Sequence, residues 1–474
     1  MRNLVLYSLL SLSLVASAAR KPNVIVLLAD DLGWSSLGCC GNTLHETPNL
    51  DRLAQEGMRF TDAYAACTVC SPTRASLLTG KYPARLHLTD FIAGQHRPFE
   101  KLTIPQWTKH LPPGETTIAE VLKEQGYATA HVGKWHLEAK APVAGHTPDD
   151  FQPTNQGFDI SIDKPAGSRG YFLPKSFRRA DGGQGGFATD YLTDEALKVI
   201  ESQRRNPFFL YFAYHNPHTP IQAKEELVKY YEKKLASRPD IKIRNATYAA
   251  MIHSLDESVG RIAAKVDELG LGKDTLILFV SDNGGLTQRY GRIDNIADNR
   301  PLRRGKGSAY EGGVRVPMIA RWTGMVLAAT TCCEPVMTID FLPTIAKEAG
   351  ASHEAVDGVS FGGLLRDATG NLSGRRLYWH YPHYHAGGDA PYSAIRDGHW
   401  RFLDFHDDTP DALYDLASDL GESENLILKR KSVAKRLRTE LLDWRNSVHA
   451  QMPTKNAAHD PEKAGKAIKR PRRR

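Results

Sequence analysis

The chain has 474 residues, of which 41% are hydrophobic and 24% are charged, and its formal net charge is +7. This composition excludes a disordered chain, a collagen-like repeat and a polytopic membrane protein. The positive charge belongs to the end of the chain, because residues 451–474 carry eight Lys and Arg side chains against two acidic ones. No nucleic-acid-binding motif accompanies them, so we expect a basic, disordered tail and no DNA or RNA partner.

The first predicted element is a secretory signal peptide at residues 1–18. Arg2 gives it a positive start, residues 4–15 form an uncharged apolar run, and residues 16–18 have the small side chains of a cleavage site. The apolar run is shorter than the roughly 20 residues that a membrane-spanning helix needs. We therefore expect an exported protein, periplasmic or secreted, without stable membrane insertion. Export permits disulfides, but the spacing of the six cysteines assigns no pairs.

The body of the chain alternates between strand and helix patterns. Short apolar runs typical of buried parallel strands occur at 24–28, 128–132, 208–213 and 275–280. Helical patterns occur at 47–56, 117–125, 190–202, 245–269 and 338–348. The alternation predicts an α/β domain over residues 19–369, with a large, mixed and mostly parallel sheet flanked by helices.

After about residue 370 the pattern changes to short aromatic runs joined by turns. These runs lie at 377–381, 392–396 and 400–405, and a helical segment follows at about 429–448. We predict a smaller C-terminal subdomain at residues 370–450, made of an antiparallel sheet and one helix.

Two predicted strands end in acidic and amide side chains. Asp30 and Asp31 follow the first strand, and Asp282 and Asn283 follow the strand at 275–280. Ligands of open α/β sheets bind beyond the carboxyl ends of the strands, where adjacent buried carboxylates favour a compensating cation. Three carboxylates and one amide suit Ca²⁺ or Mg²⁺. Each pair alone is also compatible with a helix cap or a turn.

The segment from Cys70 to Gly80 has the pattern Cys-x-Pro-x-Arg, then four residues and Thr-Gly. Pro72 suits the first turn of a helix, which places Cys70 at a positive helix N-terminus. Arg74 lies one turn further on the same face and can reach back to an anion. All fixed positions match the signature of the sulfatase family, in the alkaline-phosphatase-like superfamily, and the chain resembles that family.

The resemblance extends to further motifs in the expected order. Residues 133–137 (Gly-Lys-Trp-His-Leu), 217–220 (Pro-His-Thr-Pro) and 304–315 are similar to family elements. By these matches the resemblance implies additional catalytic residues, namely Lys134, His136, His218 and Lys306. His215 is the alternative to His218 as the substrate histidine. Glu138 departs from the glycine that ends the family's Gly-Lys-Trp-His-Leu-Gly element.

The resemblance also implies the chemistry. In the family the signature cysteine is oxidised to formylglycine (3-oxoalanine), so Cys70 would require a formylglycine-generating maturation enzyme. The hydrated aldehyde attacks sulfur and forms a covalent sulfate hemiacetal, which His136 helps to collapse. The implied metal is Ca²⁺, with Mg²⁺ as the alternative, and its implied ligands are Asp30, Asp31, Asp282, Asn283 and the side chain at position 70.

Export favours a sulfated saccharide as the substrate. Aromatic side chains suit sugar rings, so the aromatic and histidine cluster at 379–385 suggests a substrate rim, with His380 and His383 as binding residues. The alternative for this cluster is a half-buried sheet edge. Two other functions stay open, a phosphonate monoester or phosphodiester hydrolase of the same superfamily and an inactive exported sulfoglycan-binding protein.

Overall fold

A computed structural model describes residues 21–179, 182–294 and 296–467. The predicted signal peptide lies outside these residues. Within the described residues, no helix combines the length and the apolar character that a membrane crossing requires. The six cysteines form no disulfide in this structure.

The strands of the described chain follow one another in this order: β1 Asn23–Ala29, β2 Met58–Phe60, β3 Ala63–Tyr64, β4 Leu102–Thr103, β5 Ala128–Gly133, β6 Ile160–Ile162, β7 Phe208–Ala213, β8 Thr275–Ser281, β9 Met318–Arg321, β10 Thr330–Cys332, β11 Val336–Met337, β12 Arg376–Tyr381, β13 Tyr392–Asp397, β14 Trp400–Phe405, β15 Ala412–Asp415 and β16 Thr454–Lys455. The α-helices are α1 Pro48–Gln55, α2 Cys70–Thr79, α3 Pro83–Leu86, α4 Ile118–Lys123, α5 Ala188–Gln203, α6 Glu225–Ala236, α7 Ala246–Glu268, α8 Glu311–Val314, α9 Phe341–Ala349 and α10 Lys431–Ser447.

Eight strands form the main sheet, in the order β10-β2-β9-β8-β1-β7-β5-β6. The strands β8, β1, β7 and β5 are consecutive parallel neighbours, and β9 runs antiparallel to both β8 and β2. The predicted mixed, mostly parallel sheet is confirmed. The four predicted strands are these four consecutive ones, because only these runs are long and apolar enough to be recognised in the sequence.

The sheet is buried on both faces, which explains the uninterrupted apolar runs. Along β1, Val24, Val26 and Leu28 pack in one core, and Ile25 and Leu27 pack in the other. Helices α2, α4 and α9 cover the first face, and α1, α5 and α7 cover the second. The sequence analysis did not identify α6, which packs against α7 at the periphery.

The predicted antiparallel sheet of the C-terminal subdomain is also confirmed, in the order β12-β13-β14-β15. Helix α10 packs on this sheet, and the same apolar cluster includes Tyr64, Val69 and Tyr82 from the region around α2 and α3. The C-terminal sheet is therefore joined to the main domain by a shared core.

The prediction of a disordered tail is wrong for residues 451–467. Strand β16 pairs antiparallel with β4. The side chain of Asn456 donates hydrogen bonds to the carbonyl oxygens of Pro98 and Glu100, at 2.8 and 2.7 Å. The charge count could not reveal these partners, because they come from a loop more than 350 residues earlier in the chain. Residues 468–474 lie outside the described residues.

A buried charge cluster joins the two parts of the chain and makes stability depend on pH. Glu422 accepts from the Glu311 amide at 2.7 Å and lies 3.4 Å from Arg401 Nε, and all three residues are buried. Burial and the charge of Glu311, opposed by Arg401, raise the pKa of Glu422 to about 8. This pKa lies above the ordinary glutamate value, so the folded state binds the extra proton and loses stability as pH rises from about 5 to about 8.

We expect Glu422→Gln to weaken this pH dependence, since the amide is neutral throughout the range. The fall in free energy of unfolding between pH 5 and pH 8.5 should be smaller by about 4 kcal/mol than in the wild type. Urea titrations at both pH values measure the difference. The exposed Glu226→Gln variant is the matched control for loss of one carboxylate, and an equal fall in the wild type and Glu422→Gln would contradict the assignment.

Candidate active site

The two acidic strand ends meet at one edge of the main sheet. Strands β1 and β8 are parallel neighbours with Ala29 opposite Ser281, so the residues that follow them are adjacent. The Asp31 amide donates to Asp282 Oδ1 at 3.2 Å, and Asn283 Nδ2 donates to Asp31 Oδ1 at 2.7 Å. All four polar residues of these strand ends are buried. The sheet register thus assembles the predicted cluster from segments about 250 residues apart.

Cys70 lies at the first position of α2 and faces this cluster. Its Sγ and carboxylate oxygens of Asp30 and Asp282 all lie within 4.8 Å of one another. On its other side, Cys70 Sγ is 3.3 Å from His136 Nδ1. The carbonyl oxygen of Ile92 is 2.6 Å from His136 Nε2, so Nε2 carries the proton and Nδ1 is the acceptor. Burial, followed by the charge of Lys134, lowers the pKa of His136 to about 3.

Three cationic side chains surround the cluster. Arg74 donates to Asp282 Oδ2 through Nε and Nη2, at 3.0 and 2.8 Å. Lys134 Nζ is 2.5 Å from Asp30 Oδ2, and Lys306 Nζ is 2.7 Å from Asp31 Oδ1. Burial opposes ionisation of these lysines, but the adjacent carboxylates raise the pKa of both. The edge of the sheet therefore holds three cationic side chains beside Cys70, each paired with a carboxylate of the cluster.

The residues present fit a hard divalent cation. Asp30 Oδ1 and Asn283 Oδ1 are buried without a hydrogen-bond partner in the described part of the chain. Burial, together with the charge of Asp30, raises the pKa of Asp282 well above its usual range, which shows that these carboxylates repel each other. A cation would satisfy the unpaired oxygens and remove the repulsion. The candidate protein ligands are Asp30, Asp31, Asp282 and Asn283, with the side chain at position 70.

The two candidate substrate histidines follow β7 but face different groups. His218 Nε2 lies 3.7 Å from Asp31 Oδ2, at the carboxylate cluster, and its Nδ1 lies 2.7 Å from the Thr219 carbonyl oxygen. His215 Nε2 lies 2.7 Å from Asp163 Oδ1 instead. His215 and Asp163 line a neighbouring cavity that also borders Lys134 and His136. His218 therefore lies at the carboxylate cluster, whereas His215 lies in the neighbouring cavity.

The structure corrects the predicted role of His380 in a substrate rim at 379–385. His380 is buried in the C-terminal subdomain, where its ring nitrogens contact Ser393 Oγ at 2.9 Å and the Gln451 carbonyl oxygen at 3.0 Å. It therefore does not face the site. His383 is also buried, and it borders a separate cavity.

The residue of this cluster that does reach the site is His385, which the sequence analysis did not single out. A Cβ atom at Gly307, next to Lys306, would lie 1.9 Å from His385 Nδ1. The imidazole therefore occupies the space that this glycine leaves open. The one sequence signal for His385 is the position of Gly307 next to Lys306, since such a glycine permits close approach of another group.

Known families and solved structures match this chain over most of its length. The family model described as Sulfatase matches residues 22–351, and that of the N-sulphoglucosamine sulphohydrolase C-terminal region matches residues 305–447. Human arylsulfatase A is 33% identical, over 88% of this chain and 86% of that protein. A sulfatase of Formosa agariphila is 30% identical over 98% of both chains. The structure of Ps i-CgsB in complex with k-i-k-neocarrahexaose superposes with a TM-score of 0.74 at 30% identity, covering 94% of this chain and 96% of that one.

Proposed function

Because this chain belongs to the sulfatase family and has its alkaline-phosphatase-like fold, we propose that it hydrolyses sulfate esters of carbohydrates. Sulfuric ester hydrolysis is the activity of its named relatives, and the solved relative Ps i-CgsB binds k-i-k-neocarrahexaose. The observation that carries the proposal is the convergence of Cys70, the strand-end carboxylates and three cationic side chains in one buried cluster.

We propose that Cys70 is matured to formylglycine and that the carboxylate cluster binds Ca²⁺, with Mg²⁺ as the alternative. The first proposal is supported by the complete signature around Cys70 and by its position at the start of α2. The second is supported by the unpaired Asp30 and Asn283 oxygens. When present, the hydrated aldehyde supplies the nucleophile and the cation supplies electrophilic stabilisation of the sulfate oxygens.

The side chains of the chain itself have separable roles in this proposal. The positive charges of Arg74, Lys134 and Lys306 stabilise the charge that spreads over the sulfuryl oxygens. His136 accepts a proton through Nδ1, because its Nε2 donates to the Ile92 carbonyl oxygen. Lys306 carries a proton that a departing sugar alkoxide can take to become the free hydroxyl, and His218 lies on the same side, next to Asp31.

The overall proposal is tested by comparing the hydrolysis of nitrophenyl sulfate with that of a nitrophenyl phosphodiester, followed by a screen of defined sulfated saccharides. We expect the sulfate ester to be the better substrate by a factor of at least about 100. A preference for the phosphodiester would overturn the proposal in favour of the phosphonate or phosphodiester hydrolase.

We also infer from residues 1–18 that the protein is exported. N-terminal sequencing of the mature protein from its host tests this inference.

The role of Lys306 predicts a dependence on the leaving group. Nitrophenolate departs without a proton, whereas a sugar alkoxide needs one, so Lys306→Ala should reduce sugar sulfate hydrolysis more than aryl sulfate hydrolysis. We expect kcat/KM to fall at least about 10-fold further for the sugar sulfate. The exposed Lys101→Ala variant is the control. Equal losses for both substrates would assign Lys306 to charge stabilisation alone.

A further inference from the structure

The chain between β8 and α8 contains a buried asparagine that has no role in the reaction proposed above. Asn299 is 2% exposed. Its side-chain nitrogen Nδ2 donates to the backbone carbonyl oxygens of Gly285, Arg304 and Gly312, at 3.1, 3.0 and 3.3 Å. A carboxamide nitrogen carries two protons, so the three acceptors share two donors. One side chain therefore links three parts of the backbone.

Two of these parts carry residues of the active site. Gly285 follows the proposed cation ligand Asn283 by two positions, and Arg304 precedes Lys306 by two positions. The Gly285 carbonyl oxygen also accepts from the backbone amide of Lys306, at 3.0 Å. Asn299 and the Lys306 backbone thus share one acceptor, which joins the lysine segment to the segment that follows β8.

Glycines leave the space that this carboxamide fills. A Cβ atom at Gly33 would lie 2.0 Å from Asn299 Oδ1, and a Cβ atom at Gly305 would lie 2.7 Å from Asn299 Nδ2. Both distances are too short for a side chain, so these two positions require glycine while the asparagine is present. Gly33 lies two residues after Asp31, the carboxylate partner of Lys306. The carboxamide is therefore packed between the segment that carries the lysine and the segment that carries its partner.

The backbone just before Lys306 has a conformation that needs support. Arg304 has a φ of +61°, in the left-handed region that is unfavourable for a residue with a side chain. Its carbonyl oxygen is one of the acceptors of Asn299 Nδ2, so this hydrogen bond offsets part of the cost. Without the carboxamide, the backbone at Arg304 would be free to relax toward a right-handed conformation and to carry Lys306 with it.

The position of the Lys306 ammonium group depends on that backbone. Lys306 is 6% exposed, and its Nζ lies 2.7 Å from Asp31 Oδ1 and 2.9 Å from Asp31 Oδ2. A displacement of about 1 Å in a reacting group can cost about 100-fold in rate. A small shift of the lysine backbone would therefore weaken both contacts and move the ammonium group away from the leaving oxygen.

We propose that Asn299 is a positioning residue, which holds the Lys306 backbone against the segments that follow β1 and β8. The inference deepens the proposed function and rests on it, because it concerns the lysine that stabilises charge and supplies a proton there. Asn299 acts through Lys306, and its effect on catalysis disappears when the lysine side chain is absent.

A double-mutant cycle of Asn299→Leu and Lys306→Ala tests this proposal. The readout is kcat/KM for nitrophenyl sulfate and for the sulfated saccharide that the wild type hydrolyses best. Leucine keeps the size of the carboxamide and removes its donors, so Asn299→Leu alone should lose at least about 10-fold. The double variant should lie within about threefold of Lys306→Ala, because displacement of the backbone costs little once the ammonium group is gone.

Asn299→Ser is the second variant, for the case that leucine impairs folding. Its hydroxyl is too short to reach all three carbonyl oxygens, so it should show the same dependence on Lys306. Asn23→Leu is the matched control, since Asn23 is also buried but lies at the opposite end of β1, where its Nδ2 donates to Thr275 Oγ1 at 3.0 Å. The control should keep kcat/KM within about twofold of the wild type.

Losses that multiply in the double variant would assign Asn299 to the general stability of the fold and overturn the proposal. Wild-type kinetics in both Asn299 variants would overturn it as well. Added CaCl₂ should raise the melting temperature of Asn299→Leu as it does that of the wild type, and loss of this shift would place the effect at the cation ligands instead. In all these cases the sulfatase proposal stands, whereas failure of the wild type on every sulfate ester would refute the proposed function itself.

Discussion

Replacement of Cys70 by alanine is expected to lower kcat/KM for nitrophenyl sulfate at least about 10⁴-fold while the protein stays folded. The side chain at position 70 is the one group that contacts both the carboxylate cluster and His136 Nδ1. No neighbouring side chain in the described structure has the same pair of contacts. Its loss would therefore remove the nucleophile without a substitute. The melting temperature should change little, because alanine at the first position of α2 keeps the helix start.

Cys67→Ala provides the matched control for this experiment. Cys67 is buried three residues before Cys70. Its backbone amide donates a hydrogen bond to Thr73 Oγ1, which substitution of the side chain does not remove. We expect this variant to keep most of the activity. Mass spectrometry of the tryptic peptide that contains residue 70 should show the aldehyde in protein from the native host. Full activity of protein with an intact thiol at position 70 would contradict the proposed mechanism.

Asp282→Asn is expected to remove both cation binding and activity. Asp282 is a central member of the carboxylate cluster and accepts two hydrogen bonds from Arg74, so the change lowers the ligand charge and weakens the position of Arg74. We expect kcat/KM to fall at least about 10³-fold. Calcium at 100 times its dissociation constant should stabilise the wild type by about 2.7 kcal/mol, and should not stabilise the variant.

Thermal unfolding with EDTA and with added CaCl₂ measures this difference directly. Asp256→Asn is the control, since Asp256 is a buried carboxylate that accepts from the amides of Asn49 and Leu50 at the start of α1, away from the cluster. It should retain the calcium-dependent shift even if its baseline stability falls. A calcium shift of wild-type size in Asp282→Asn, or normal activity with EDTA, would contradict the metal assignment.

The main features of the active site could be predicted from local sequence. The apolar runs before Asp30 and Asp282 identify strands, and the Cys-x-Pro-x-Arg pattern predicts the helix start at Cys70, where α2 begins. These features depend on residues within one strand or one helical turn. The sequence therefore contains the signal within a few positions, and the structure confirms the elements.

In the C-terminal region, local sequence does not show which side chains face the active site. The cluster at 379–385 predicted a substrate rim, but His380 turned out to lie inside the subdomain and His385 to reach Gly307. Neighbouring strand residues face opposite sides, and the choice between the sides depends on which surface packs against the main domain. The order of residues 451–467 is likewise not visible in local sequence, because the partners of Asn456 come from residues 98–100.

The sequence by itself determined the strands, the helix that begins at Cys70 and the polar groups at the strand ends. Only the tertiary structure decided that β1 lies beside β8, that Asp31 meets Lys306, and that His385 lies against Gly307. The physical reason is the range of the interactions. Local elements follow from the periodicity and backbone preferences of adjacent residues, whereas these contacts depend on how distant surfaces pack and which buried polar atoms then find partners.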